Sequence, residues 1–309
     1  MELRSTVFGL DVVADRPLAY LAGASAEPTG LRFELGLDTR RRGVAWEGAA
    51  ERISDERDAR GEVVFQIEAG RQGYRITGPE YGQTVLDAAG SRGRGRLDGA
   101  APERWQRMLV AQALPFAAVL RGLEVFHAAG ATVGGRAVLL TGRSGAGKSS
   151  LALALRRRGA GLLADDVVAV DRRGDELIAH PGAPVAAVDA AEAARLGPAQ
   201  VDGDGPVLGA NGRETMVAVA PLAAAAPLGA VFVLEREAAA EEPRFEPVED
   251  PRLLLASTFN LVLRDPRRLG RLLDLCARVS RTRCERLVFG STATPEDLAT
   301  LVEARVAKR

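Results

Sequence analysis

From its first residues the chain alternates or runs apolar over short lengths, broken by Gly, Pro and Asp clusters. "STVFGLDVVA", "LRFELGL", "EVVFQIEAG", "GYRIT" and "QTVLDAA" have the spacing and length of strands. They predict a strand-rich, mostly antiparallel N-terminal domain over residues 1–98, with "GSRGRGRLDGAAP" as its exit linker. The period then changes. "PERWQRMLVAQALPFAAVLRG" repeats its apolar positions at helical intervals, with Gly122 as a stop. "LEVFHAAGATVGGRAVLLTG" reads as two apolar strands around a Gly134–Gly135 hairpin turn.

Strands and helices alternate beyond that point. "ELIAHPGAP", "ETMVAVA", "GAVFVLERE" and "CERLVFG" read as strands, and "PRLLLASTFNLVL" and "DPRRLGRLLDLCARV" as helices. "TPEDLATLVEARVA" reads as a last helix capped at Thr294. "AAEAARLG" and "LAAAAPLG" are alanine-rich but short. The expected architecture is α/β, with a catalytic domain over residues 99–309 following the smaller N-terminal one.

Composition narrows the function classes. Of the 309 residues, 47% are hydrophobic and 27% charged, the balance of a globular protein able to bury a core. The 41 basic residues match 41 acidic ones, so no global field draws the chain to nucleic acid or to an anionic membrane. With no long apolar run and an N-terminus interrupted by charges, a cytoplasmic protein is expected. Cys276 and Cys284, with only His127 and His180 besides, lack metal-like spacing. Among the basic residues only Lys148 and Lys308 are lysines, and Lys148 falls in a glycine-rich loop.

That loop, "GRSGAGKS" from Gly142 to Ser149, fits G-x-x-x-x-G-K-S/T at every fixed position. An apolar strand precedes it and a helix follows, so its amides converge on an anion at a helix N-terminus. Gly142, Arg143, Ser144, Gly145, Ala146, Gly147, Lys148, Ser149 and Ser150 are the candidate nucleotide-binding residues. In such a loop the lysine reaches the β- and γ-phosphates and the hydroxyl after it serves Mg²⁺. The helix carries the chain about 15 Å away at about 1.5 Å per residue. "GLLADD" returns it by a similar length at about 3.3 Å per residue. Asp165 and Asp166 are thereby expected level with the phosphates, at the carboxyl end of the neighbouring parallel strand. Extending the hairpin ladder backward from Val133 opposite Arg136 places His127 opposite Gly142. His180 is read as a turn residue. The arginines of the last third, Arg268 among them, are read as the wet faces of amphipathic helices, with one of them as a candidate phosphate contact.

The histidine strand, hairpin, "GRSGAGKSS", helix, "RRGAGLLADDVVAV" and "HPGAP" together resemble the catalytic domain of HPr kinase/phosphorylase and its related serine kinases. The likeness is strongest over Leu123–Pro184. It implies a P-loop kinase domain of the HPr kinase/phosphoenolpyruvate carboxykinase type, using ATP and Mg²⁺. It further implies that Asp165 is general base to an acceptor serine and that His127 lies near the phosphates; Ser149 and Asp166 are the candidates to position Mg²⁺. The glycine-rich signature of true HPr kinase/phosphorylases is missing downstream, and the lead-in is similar to the related kinases of lasso-peptide pathways. The implied acceptor is therefore a serine of a peptide or small protein. Kinases of this resemblance are commonly multimeric, so a homo-oligomer is among the expectations. A nucleotide-binding regulatory module, and an ATPase or small-molecule kinase of the carboxykinase-like branch, remain open beside this reading.

Overall fold

The computed structural model describes residues 3–25, 27–38, 46, 48–58, 60–188, 207–210, 215–219, 222–248, 250, 252–259 and 265–308. The chain opens with a hairpin, β1 (Leu3–Val7) and β2 (Leu10–Ala14), followed by β3 (Arg32–Leu37), β4 (Glu51–Arg57), β5 (Val63–Gly70), β6 (Gly73–Gly78), β7 (Gly82–Asp87) and β8 (Arg92–Arg96). These eight form one sheet in the order β1-β2-β3-β8-β7-β6-β5-β4. All pairings are antiparallel except β2 with β3 and β3 with β8.

Strand β8 corrects the reading of "GSRGRGR" as a linker: it lies inside the sheet, between β3 and β7. The alternation of arginine and glycine is itself a period of two. Arg92 and Arg94 are exposed, while Gly93 and Gly95 are buried. A Cβ on Gly93 would stand 2.7 Å from the Phe33 ring, and one on Gly95 2.1 Å from the Trp105 ring. The aromatic rings fill the space that apolar side chains of β8 would otherwise occupy.

Trp105 belongs to α1 (Pro102–Met108), which passes through a π turn at Leu109–Ala113 into α2 (Leu114–Leu120). Pro115 lacks an N–H for the helical ladder, and the wider turn just before it absorbs that loss. Trp105, Met108, Leu109 and Phe116 pack under the first sheet against Leu10, Phe33, Ile76 and Leu86. The same core continues into Val125, Val167, Val185 and Phe259.

A second, mixed sheet of nine strands follows. Its first members are β9 (Glu124–His127), β10 (Ala129–Val133) and β11 (Arg136–Gly142), after which come α3 (Lys148–Arg157), β12 (Gly161–Ala164), β13 (Val167–Arg173) and β14 (Glu176–His180). Strands β15 (Val185–Val188), β16 (Val207–Ala210) and β17 (Thr215–Ala218) form a separate three-stranded sheet. The nine are completed by β18 (Ala226–Arg236), β19 (Arg244–Pro247) and β20 (Arg283–Phe289), with α4 (Arg252–Ala256), α5 (Pro266–Val279) and α6 (Pro295–Ala307) as the remaining helices. The main path runs β12-β10-β11-β18-β14-β13-β9, and β20 pairs with β18 and β19. Leu151, Leu155, Leu298 and Val302 of α3 and α6 cover one face, against Leu140, Phe232 and Leu287. Leu272, Leu275 and Val279 of α5 cover the other, against Leu139, Leu163 and Val231.

The last helix is capped as its sequence reads, by a box in which Thr294 and Asp297 exchange hydrogen bonds. The Gly134–Gly135 turn is also as read: both residues have positive φ, 58° and 76°, and Val133 pairs with Arg136. Of "PRLLLASTFNLVL", only Arg252–Ala256 is helical among the described residues, and Thr258 bridges to Phe126. "AAEAARLG" lies outside the described residues.

Candidate functional site

The central strands β11, β18 and β20 run parallel, with Gly142 opposite Leu234 and Arg236 opposite Phe289. Their carboxyl ends therefore share one edge, the place where open α/β sheets bind ligands. The chain leaves β11 through Gly142, whose φ is 136°. A Cβ there would lie 2.7 Å from the Leu234 carbonyl oxygen. Only glycine allows the loop to turn this close to the neighbouring backbone. The loop closes with Ala146 N–H donating to the Arg143 carbonyl at 3.1 Å, and Gly147, at φ 95°, opens α3. Lys148 Nζ donates to the Gly142 and Arg143 carbonyls, at 3.1 and 3.2 Å. The ammonium thus bridges its own loop, within reach of any anion held by the amides. The far end of α3 is closed as read: Gly159 has φ 98°, and Ala160 N–H donates to the Leu155 carbonyl at 3.1 Å.

The return strand requires one correction. β12 runs in the same direction as β11, since both pair antiparallel with β10, but it is not its neighbour: β10 lies between them. The tight Gly134–Gly135 turn lays β10 along that edge of β11, so the crossover helix must pass over it before β12 can pair. The delivery of the carboxylates survives this. Asp165 and Asp166 line the same cavity, of about 490 Å³, as Ser144, Gly145, Gly147, Lys148, Ser149 and Ser150. Asp165 is buried, and its Oδ2 accepts from the Ala187 N–H at 2.8 Å, which fixes the carboxylate against β15. Asp166 is exposed.

His127 is not opposite Gly142. The β10–β11 ladder ends at Ala129 opposite Leu140, because the Ala128 N–H donates to the Asp166 carbonyl at 3.0 Å instead. One residue earlier the chain has joined a different partner: His127 pairs with Val167. The histidine is exposed, its ring 5.1 Å from that of Phe259, and it does not line the cavity. Its backbone lies beside the aspartate pair rather than beside the loop. His180 is no turn residue either. It ends β14, fully buried, with Nε2 3.4 Å from Asp171 Oδ2. Burial pushes the Asp171 carboxyl up, but His180 and Arg173 beside it outweigh that and hold it below its ordinary value.

Arg268 departs from the wet-face reading. It is buried with Glu124, guanidinium to carboxylate 3.3 Å, and also donates to the Phe259 carbonyl at 3.1 Å. Burial raises Glu124 above the ordinary carboxylate range despite Arg268. None of the described arginines weighed in the last third lines the cavity.

Among the lining residues that sequence reasoning did not single out are Phe8, Arg107 and Arg236. Arg236 had a readable signal, a charge just beyond an apolar strand at the ligand edge of the sheet. Phe8 had none. It is the tip of the first hairpin, at φ 55°, and its N–H donates to the Pro181 carbonyl at 2.7 Å. With Arg107, Lys148 and Arg236 against Asp165 and Asp166, the lining offers three cations and two carboxylates.

The donor set suits a hard cation beside phosphates. Among the described residues no group of three or more His, Cys, Asp or Glu gathers. Mg²⁺ needs no such cage, since it keeps waters and is commonly bound by one or two carboxylates plus the substrate's phosphates. The Ser149 hydroxyl and exposed Asp166 supply oxygen ligands of that kind on the lining of one cavity.

A strand, a glycine turn, a bridging lysine and a helix N-terminus have the form of a P-loop. Within that class the kinship is specific: the family model for the HPr Serine kinase C-terminal domain matches residues 120–188. The resemblance to HPr kinases is therefore shown over that stretch. The HPr kinase/phosphorylase of Chlorobium limicola is 53% identical over 55 residues, 18% of this chain and 17% of that protein. That of Nitrosomonas europaea is 57% identical over 44 residues, 14% of each. The chain thus matches less than a fifth of the length of these relatives. The Hpr(Ser) kinase/phosphatase from Coxiella burnetii superposes with a TM-score of 0.32 at 17% identity, over 60% of this chain and 97% of that one. No helix among the described residues is long and apolar enough to cross a membrane.

Proposed function

We propose that the protein is an ATP-dependent kinase that transfers the γ-phosphoryl group to a serine hydroxyl of a peptide or small protein. The observation that carries this is the presence of Asp165 and Lys148 on one cavity wall system, joined by a single helix. In this reading the loop amides and Lys148 hold the β- and γ-phosphates. Bound Mg²⁺, held by Ser149 and Asp166, supplies charge neutralisation at the phosphates.

Asp165 accepts the proton of the acceptor hydroxyl while its oxygen bonds to the γ-phosphorus. The bond from that phosphorus to the bridging oxygen breaks, and ADP leaves with the electron pair. Burial of Asp165 and its hydrogen bond from Ala187 support the assignment, because they leave the carboxylate few orientations.

A peptide or small-protein acceptor is favoured by the HPr serine kinase match and by the cavity's composition. Phe8, Val110, Val185 and Met216 make part of the lining apolar, a surface suited to side chains flanking a serine. Incubation with γ-labelled ATP, with and without serine-containing peptides, tests the reading. Label on peptide supports it. Label released as phosphate without peptide favours an ATPase, and nucleotide binding with neither product favours a regulatory module.

A further inference from the structure

The tip of the first hairpin is built against local preference. Phe8 and Gly9 are the turn residues between paired Val7 and Leu10, and both have positive φ, 55° and 74°. Asn-Gly or Asp-Gly is the usual pair in such a turn, because a bulky L-residue enters this region only under strain. Among the described residues, Phe8 and Asp98 are the non-glycine residues held so. The Phe8 side chain at this strained position is buried, 2% exposed, and lines the large cavity. We propose that Phe8 is a positioning residue for Asp165, acting through residues 181–187, the segment that carries the donor to its carboxylate. The proposal rests on the reading of Asp165 as the base and deepens it.

The contacts form one chain. The Phe8 N–H donates to the Pro181 carbonyl at 2.7 Å. Gly9 comes so close behind it that a Cβ there would stand 3.3 Å from the His180 ring. The hairpin tip thus sits on His180, Pro181 and Gly182. A Cβ on Gly182 would stand 3.2 Å from Phe8 Cε1, 2.9 Å from the Ala164 Cβ and 2.9 Å from the Val167 carbonyl oxygen. Ala164 and Val167 are the residues that flank the aspartate pair. Gly182 is therefore the point at which the Phe8 ring meets the turn carrying Asp165. The Gly182 N–H donates to the Leu163 carbonyl at 2.9 Å, and further along the Ala187 N–H donates to Asp165 Oδ2 at 2.8 Å. β17 holds the later part of the segment, through the Pro184 carbonyl and the β15 ladder. The earlier part, Pro181 and Gly182, is held by Phe8 and β12. Without the ring, Gly182 loses that packing and the donor to Asp165 is secured from one end alone. A base tolerates little of this, since a shift of about 1 Å can cost on the order of 10²-fold in rate.

Phe8→Asn separates the turn from the ring, because it supplies the Asn-Gly pair the turn favours while removing the aromatic contact. The probe is γ-labelled ATP with a randomised peptide library carrying one fixed serine. Transfer at saturating ATP should fall about 10²-fold, with ADP affinity within about twofold of the unaltered protein. Hydrogen exchange of the Ala187 amide should quicken at least about tenfold, while the amides of β11 and α3 exchange as before. Phe8→Leu keeps an apolar side chain over Gly182 and should lie between the two proteins in both measurements. It carries the test alone if Phe8→Asn does not fold. Full transfer with unchanged Ala187 exchange overturns the positioning role and leaves Asp165 as base. Equal losses of transfer and ADP affinity, or faster exchange throughout the sheet, overturn it likewise. Absence of transfer by the unaltered protein, or its persistence in Asp165→Asn, overturns the underlying reading as well.

Discussion

Gly142→Ala is the sharpest test of how the loop is built. Two costs combine at this residue. A φ of 136° is a region an L-residue enters only under strain, on the order of 1–3 kcal/mol. In addition, the new Cβ would meet the Leu234 carbonyl oxygen at 2.7 Å, well inside ordinary contact, so β11 and β18 must part at their ligand edge. Overpacking of that kind costs about 1–3 kcal/mol, which brings the loss to about 2–6 kcal/mol. Gly134→Ala is the control: its φ is 58°, but a Cβ there meets nothing within 4 Å. It should lose only about 1–2 kcal/mol, the left-handed cost alone. Urea unfolding followed by circular dichroism measures both, and ADP titration should show weakened binding for Gly142→Ala alone. Equal losses for the two variants, or a Gly142→Ala protein within about 0.5 kcal/mol of the original, would refute the reasoning.

Other parts of the molecule make independent predictions. Arg268→Met strands Glu124 in the core and should cost about 3–5 kcal/mol, while adding Glu124→Gln should recover most of it, as a double-mutant cycle in urea would show. Burial pushes both Cys276 and Cys284 up to about 11, so at pH 8 the folded protein should react with a thiol reagent far more slowly than the unfolded one. Burial raises the Asp87 carboxyl, but hydrogen bonds from the Ser91 hydroxyl and from the Ser91 and Arg92 N–H groups outweigh it and hold it below 3.8. Its contribution is thus complete above the unfolded value and disappears as pH falls through the lower folded one. Asp87→Asn should lower the melting temperature at pH 7 and show a shallower loss of stability below pH 4 than the unaltered protein.

What could be read from the sequence, and what could not, follows from how local each signal is. The phosphate loop, the Gly134–Gly135 hairpin and the Thr294 cap are decided by residues within a few positions of one another, and each forms as read. The return of Asp165 to the loop depends only on element lengths, so it survived even though β10 intervenes in the sheet. His127 failed because a ladder was extended through Ala128, where a long-range hydrogen bond to Asp166 ends it. β8 was hidden because its inward positions are glycines, and the rings that justify them, Phe33 and Trp105, come from distant elements. Arg268 looked like one more polar-face arginine, since its partner Glu124 lies 144 residues away in the chain. Phe8 reaches the cavity through a tertiary contact with Pro181 that no local pattern announces.

The measurement closest to the central claim compares phosphoryl transfer with nucleotide binding in Asp165→Asn. Asparagine keeps an oxygen for the Ala187 N–H and nearly the same volume, so the site's shape should persist while its proton acceptor is gone. Transfer of label from ATP to a substrate peptide should fall by about 10²–10⁴-fold, with ADP affinity within about twofold of the original. Undiminished transfer, or matched losses of transfer and binding, would contradict Asp165 as the base.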